Sequence, residues 1–304
     1  MHHPPAQSQP VESQQTLASH SDCDSDFNNL LTYLRQSHGF SFTDYKTASL
    51  MRRIGLRMHQ VGIGTYRDYT AYLQTNPDEF GALFNTIEIN VTQFFRDPAA
   101  WEYLVAEIIP RLLRQKSADE PIRVWSAGCA SGEEPYSLAI ALAEALGMDE
   151  YQKRVRIFAS DIDAEALHEA RQGHYSAMKM ADMPVALQKR YFERVGNDYS
   201  VCSKLRSRLL FFRHNLLKDP PMSHIDLLLC RNALIYFNHQ GQTKTFVRFY
   251  FSLNRTGVLF LGNSEALPRG NELFKPLSVE HHMLSKAEKS YLTPTLLAQG
   301  LKRS

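Results

Sequence analysis

The chain has 304 residues and 43% hydrophobic content, enough for one large domain or two of ordinary size with a proper core. A formal net charge of +2 is too small for a general nucleic-acid binder, and no run of 18 apolar residues is present to span a membrane. The polar N-terminus has no apolar secretory core, and the cysteines at 23, 129, 202 and 230 form neither a C-x-x-C pair nor a metal-ligand cluster, so reduced thiols in a cytoplasmic protein are expected.

Residues 1–24 are rich in Gln, Ser, Pro and His and are expected to be a disordered tail. A first helix is expected from Asp26 as N-cap, carrying Leu30, Leu31 and Leu34. Leu50, Ile54 and Met58 recur at helical spacing and predict a second helix. Tyr66, Tyr69, Tyr72 and Leu73 predict a third, stopped at Asn76-Pro77, and Phe80, Leu83, Phe84 and Ile87 a fourth. Together they predict a small helical domain over 25–90. Its second helix carries Arg52, Arg53 and Arg57 after Lys46, with no acid between 45 and 67. Such a face is either simply solvated or a docking surface for an acidic partner.

Residues 91–120 read as a linker. Beyond it, strands and helices alternate: IRVWSA (122–127), a helix on EPYSLAIALAEAL, VRIFASDID (155–163), a helix on AEALHEARQG, LLFFRHNL (209–216), IDLLLC (225–230), a helix over 240–253, and GVLFLG (257–262). This alternation predicts a doubly wound parallel sheet over 121–288, and 274–286 reads as two closing antiparallel strands. Residues 174–207 break the rhythm. RYFERV and DYSVCS flank the turn dipeptide Gly196-Asn197, which predicts a small antiparallel β-insertion. Residues 289–304 read as a tail. The fold class is α/β: an all-helical N-terminal domain, then a Rossmann-like domain with an insertion.

Ligands of parallel sheets sit beyond the carboxyl ends of the strands. Those ends offer Ala127, Gly128, Asp161, Ile162, Asn215, Leu216, Cys230, Arg231 and Asn232, a polar rim over an apolar sheet. The first loop, Gly128 to Glu134, puts Glu133 and Glu134 where a dinucleotide would need its pyrophosphate. The two carboxylates either cap the helix or receive a cation. A ligand without phosphate and with a cationic end fits better, and S-adenosylmethionine is one. Asp161 is placed for its ribose hydroxyls; the alternative, capping the next helix, suits Asp163 better. Tyr236 and Phe237 are either core aromatics or part of the rim.

Four stretches carry a resemblance: Asn90-Val91-Thr92-Gln93-Phe94-Phe95-Arg96, Trp125 to Ser137, Phe158 to Asp163, and Arg231 to Phe237. In order and spacing, over about 27–286, the chain resembles the CheR-type chemotaxis receptor methyltransferases. The resemblance implies a Rossmann-like methyltransferase that moves a methyl group from S-adenosylmethionine to receptor glutamates, leaving S-adenosylhomocysteine. It implies that Asn90, Thr92 and Arg96 reach the cofactor, that Glu134 and Asp161 hold its amino-acid and ribose parts, and that Asn215, Leu216, Cys230 and Arg231 contact it. Arg96 and Tyr236 would face the reacting carboxylate, which is ionised at neutral pH and needs no general base. Lys46, Arg52, Arg53 and Arg57 would dock on the cytoplasmic helical methylation region of a chemoreceptor, with no nucleic acid and no membrane insertion involved. The family pattern usually has His where Asn263 stands, a position given no catalytic role. The connection Glu193 to Tyr199 is short, which suggests independence from a receptor C-terminal peptide. The competing readings are a methyltransferase for another substrate and a non-catalytic cofactor-binding regulator.

Overall fold

Helices α1 (Glu12–His38), α2 (Thr47–Gln60), α3 (Tyr66–Thr75) and α4 (Glu79–Ile87) occupy the first part of the chain. The structure is a computed structural model that describes residues 12–88, 90–268 and 272–288, with side chains from Asp24 onward. The chain divides into two units, Met1–Ile89 and Asn90–Ser304. The expected tails over 1–11 and 289–304 lie outside the described residues.

Residues 12–24, expected in a disordered tail, are helical, and Asp26 lies inside α1 instead of capping it. These mostly polar residues offer few apolar groups to hold a helix by themselves. Extending one already held by buried Phe27, Leu30 and Leu34 is far cheaper than starting one.

In the first unit Leu50, Ile54 and Met58 of α2, Tyr69 and Leu73 of α3, and Leu83, Phe84 and Ile87 of α4 are buried. Glu79 is also buried, and Arg57 explains why. The guanidinium grips its carboxylate with Nε at 2.9 Å and Nη2 at 2.7 Å, and the Tyr69 hydroxyl donates to it at 2.6 Å. The basic face of α2 is therefore smaller than its composition suggests. Lys46 and Arg52 are exposed, Arg53 is partly buried, and the Arg57 charge is spent inside the unit.

In the second unit, residues 91–120 are not a bare linker, because they hold α5 (Pro98–Tyr103), a π-helical turn (Leu104–Ile108) and α6 (Ile109–Arg114). Ala100, Trp101, Leu104, Ile108, Ile109 and Leu112 fall on one face and enter the main core. Pro110 has no N–H to continue an α-helical ladder, and the π turn ends two residues before it.

Next come β1 (Ile122–Ala127), α7 (Glu133–Leu146), α8 (Met148–Arg154), β2 (Val155–Asp161) and α9 (Ala164–Gln172). The insertion follows with β3 (His174–Ser176), α10 (Val185–Tyr191), β4 (Phe192–Val195), β5 (Asp198–Val201) and α11 (Ser203–Arg206). Strands β6 (Leu209–Arg213) and β7 (Ile225–Cys230), a 3-10 turn (Leu234–Tyr236), α12 (His239–Ser252), β8 (Leu253–Leu261), β9 (Phe274–Ser278) and β10 (Met283–Lys286) complete the order. The main sheet runs β6-β2-β1-β7-β8-β10-β9, and the insertion forms a separate sheet β3-β5-β4. Pairing is parallel from β6 through β8 and antiparallel at β10 and β9. The expected fold class holds.

Every residue of β7 is buried, Asp226 included. Its carboxylate accepts from the Arg123 backbone N–H at 2.9 Å and Asn254 Nδ2 at 2.6 Å, and it pairs with Lys116 at 3.0 Å. A charge in an apolar strand is tolerated because each side of it is matched. Strand order reverses between β1 and β7, and it is beyond the carboxyl ends at such a reversal that sheets of this kind bind ligands.

The Arg57 grip holds the Glu79 carboxyl below its usual pKa. A depressed folded value means that this stabilisation is complete at neutral pH and is lost as pH falls through it. Glu79→Gln should lower the unfolding free energy by about 2 kcal/mol at pH 7, less than for a fully buried pair because Arg57 is partly exposed. Chemical denaturation at pH 7 and pH 3 checks this: the difference between the two proteins should shrink at the lower pH.

Candidate functional site

Two loops meet beyond the carboxyl ends of β1 and β7. The loop after β1 begins at Gly128, whose φ is +80°, and a Cβ there would lie 3.0 Å from the Ala233 Cβ of the loop after β7. Only glycine allows both the backbone turn and the approach. Gly128 and Cys129 donate their N–H groups to the Ser160 carbonyl at 2.8 and 3.0 Å, which fixes this loop against the end of β2.

Asp161 sits at that end, almost wholly buried. Its carboxylate accepts from the Ala130 N–H at 2.8 Å and the Asp163 N–H at 3.0 Å. Asp163 caps α9 through Glu165 N and Ala166 N, as the sequence suggests, which frees Asp161 for the rim. Asn90 donates to Asp163 at 2.6 Å, Ile162 is partly buried with its carbonyl taking Arg213 Nε, and Thr92 is partly buried. The His214 N–H binds the Asp161 carbonyl at 2.8 Å and brings the next residues alongside. There Asn215 turns its side-chain oxygen to the Leu217 N–H, while the Leu216 carbonyl takes Arg248. Ala127 and Cys230 are fully buried strand ends, so each offers backbone only.

Arg231 is the most connected of the expected residues, through its side chain. Nη2 donates to the Asp97 carboxylate at 2.6 Å and to the Arg96 carbonyl at 2.9 Å, and Nη1 lies 3.7 Å from Glu134. The guanidinium lies 4.6 Å from the Phe260 ring centre. Glu134 also accepts from Ser126 Oγ at 2.7 Å. The segment carrying Arg96 is thus tied to the end of β7 and to the first loop. Arg96 itself is partly buried and donates to the Val91 carbonyl. Tyr236 ends the 3-10 turn and is partly exposed, while its neighbour Phe237 is buried. Lys46, Arg52, Arg53 and Arg57 belong to the first unit.

Burial pushes the Glu134 and Asp161 carboxyls above the usual range, partly offset by Arg231 for Glu134 and by backbone N–H groups for Asp161. Two buried carboxylates at the strand ends, Glu134 beside Arg231 and Asp161 with backbone N–H partners only, fit a ligand with a cationic end and hydroxyl donors.

Sequence reading missed three contributors. Asp97 supplies the counter-charge for Arg231. Lys179 pairs with the buried Glu133 at 2.7 Å. Glu265 accepts from the backbone N–H groups of Asn232, Ala233, Leu234 and Gly262 at 2.7–2.9 Å and so fixes the loop leading to Tyr236. A signal for Glu265 existed: it follows the end of the fifth parallel strand, where rim residues gather. Asn263, where the family pattern has His, is exposed. Backbone strain marks the same area, since Phe95, Asp97, Ala130 and Asn232 all have positive φ.

A glutamine at 265 would set its NH₂ against N–H donors. Glu265→Gln should speed amide exchange at Asn232, Ala233 and Leu234 about tenfold while leaving the β7 amides protected. Exchange read by NMR or mass spectrometry checks this.

Comparison with known proteins agrees with this architecture. Residues 25–87 match the family described as "CheR methyltransferase, all-alpha domain", and residues 90–283 match "CheR methyltransferase, SAM binding domain". The chain is 35% identical over 261 residues to "Chemotaxis protein methyltransferase 2" of Vibrio cholerae, covering 83% of this chain and 88% of that one. It is 33% identical over 246 residues to the "Chemotaxis protein methyltransferase" of Listeria innocua, covering 81% and 92%. It is also 35% identical over 257 residues to an uncharacterized 104.1 kDa protein of Rhodobacter capsulatus, where it covers 84% of this chain and spans about a quarter (27%) of that protein. The chain belongs to the CheR family of S-adenosylmethionine-dependent methyltransferases.

Proposed function

We propose that this protein methylates glutamate side chains in the cytoplasmic helical region of chemoreceptors, in the cytoplasm. The observation that carries the reading is the Arg231 tether, which holds the backbone of Arg96 beside the first loop and the end of β7. The names of the Vibrio and Listeria relatives support the chemotaxis setting.

The cofactor supplies a methyl group activated by a sulfonium. Glu134 would take its ammonium end, Asp161 its ribose hydroxyls, and Asn90, Thr92, Ala127, Gly128, Ile162, Asn215, Leu216 and Cys230 the surrounding rim. Arg96 would steer the incoming glutamate carboxylate as a charge-assisted donor, and the Tyr236 hydroxyl would fix its second oxygen. The methyl group would pass to the carboxylate oxygen, with the C–S electron pair left on sulfur. No proton has to move, so the residues' task is alignment and exclusion of water. Arg96 must orient without a full grip, since a tightly held carboxylate is a poorer nucleophile. Lys46, Arg52 and Arg53 would offer the docking charge for the acidic helices, while Arg57 supports the fold of that face.

Incubation of the full chain with a receptor cytoplasmic fragment and methyl-labelled S-adenosylmethionine tests the reading. The account expects base-labile methyl esters on glutamates, and transfer by Tyr236→Phe reduced about tenfold or more with cofactor affinity little changed. Receptors with and without their C-terminal peptide should be methylated alike, in keeping with the short β4–β5 turn. Base-stable label, or label on a small molecule or nucleic acid, would overturn the receptor-glutamate assignment.

A further inference from the structure

The small sheet β3-β5-β4 is built as a fold element of its own, yet two of its neighbouring side chains reach the first rim loop. Tyr175 of β3 donates its hydroxyl to the Ser131 carbonyl at 2.8 Å. Lys179, just beyond β3, donates to Glu133 Oε1 at 2.7 Å and to Ser131 Oγ at 3.3 Å. Ser131 Oγ in turn bonds Glu133 Oε2 at 2.7 Å. The contact is tight: Gly132 has a φ of +97°, and a Cβ there would stand 2.9 Å from the Tyr175 hydroxyl. No other residue would allow this turn against that wall.

The charges make the contact consequential. The Glu133 side chain is 0% exposed and that of Lys179 is 40% exposed. A fully buried carboxylate is thus matched by an ammonium that solvent can still reach. Without Lys179 the loop would hold an unmatched buried charge and would have to rearrange. The chain of contacts continues toward the transfer segment. The Glu133 carbonyl accepts from Ser137 Oγ at 2.7 Å, and Ser137 Oγ accepts the Phe95 N–H at 2.9 Å. Phe94 packs edge-on against Tyr175 and Phe192 of the insertion, two residues from Arg96.

We propose that the β-insertion governs cofactor binding through Lys179, a positioning residue that holds Glu133 and with it the loop 128–134. This rests on the reading that loop 128–134 cradles S-adenosylmethionine. Coupling of this kind is reciprocal: whatever steadies the insertion tightens the cofactor, and the cofactor steadies the insertion.

Calorimetric titration of the full chain with S-adenosylhomocysteine tests it, using wild type, Lys179→Met and Lys179→Arg. The methionine variant should bind about tenfold more weakly, and the arginine variant should recover most of the loss. Amides of 174–183 should exchange more slowly on adding S-adenosylhomocysteine to wild type, and this response should vanish in Lys179→Met. A purely local role for Lys179 would not move that readout. Unchanged affinity in a folded Lys179→Met, or insertion amides indifferent to the ligand in wild type, overturns this proposal alone. Failure of folded wild type to bind S-adenosylhomocysteine overturns the cofactor reading and this proposal with it.

Discussion

The site is organised around one buried charge. Arg231 leaves the end of an apolar strand with its side chain 2% exposed, a position that costs several kcal/mol unless the charge is paired, and its Nε stays buried without a hydrogen-bond partner. Asp97 provides the opposite charge, the Arg96 carbonyl a further acceptor, Glu134 a second carboxylate and Phe260 an aromatic face. Satisfying the guanidinium therefore dictates where the 96–97 segment and the first rim loop must lie. The backbone of Arg96, one of the residues expected to handle substrate, is held by the same pairing that makes the strand end tolerable.

The backbone accepts unusual conformations to meet these demands. Asp97, which bonds the Arg231 side chain, and Asn232, the next residue in the chain, both sit in the left-handed region. Such residues cost of order 1 kcal/mol or more each and persist only where surrounding bonds over-determine them. At Asn232 those bonds come from Glu265, which collects four backbone N–H groups from two loops. Burial raises the Glu265 carboxyl pKa while these donors favour its charged form. A carboxylate used in this way is a brace and has no need of a cationic partner.

Much of this was legible in the sequence, because period and strand ends carry the information. IDLLLC reads as a strand buried on both faces and is one, and the polar residues expected at the ends of β1, β2 and β7 do lie there. What local pattern does not carry is pairing at long range. Asp97 and Arg231 are 134 residues apart in the chain, so nothing near either one announces the other. The same holds for Lys179 with Glu133, and for Arg57, whose place on a basic helix hides its engagement with Glu79. The helices of 98–114 could have been read from the spacing of Trp101, Leu104, Ile108 and Leu112, but the neighbouring prolines obscured it. The early start of α1 depends on packing beyond it and has no local signature.

The most direct test of the account is a crystal structure of the chain with S-adenosylhomocysteine bound. The account predicts the product beyond the carboxyl ends of β1 and β7, its ammonium at Glu134 and its ribose at Asp161, with Arg231 still bonded to Asp97 and to the Arg96 carbonyl. A product bound away from that rim, or an Arg231 that abandons Asp97 to bind it, would contradict the account.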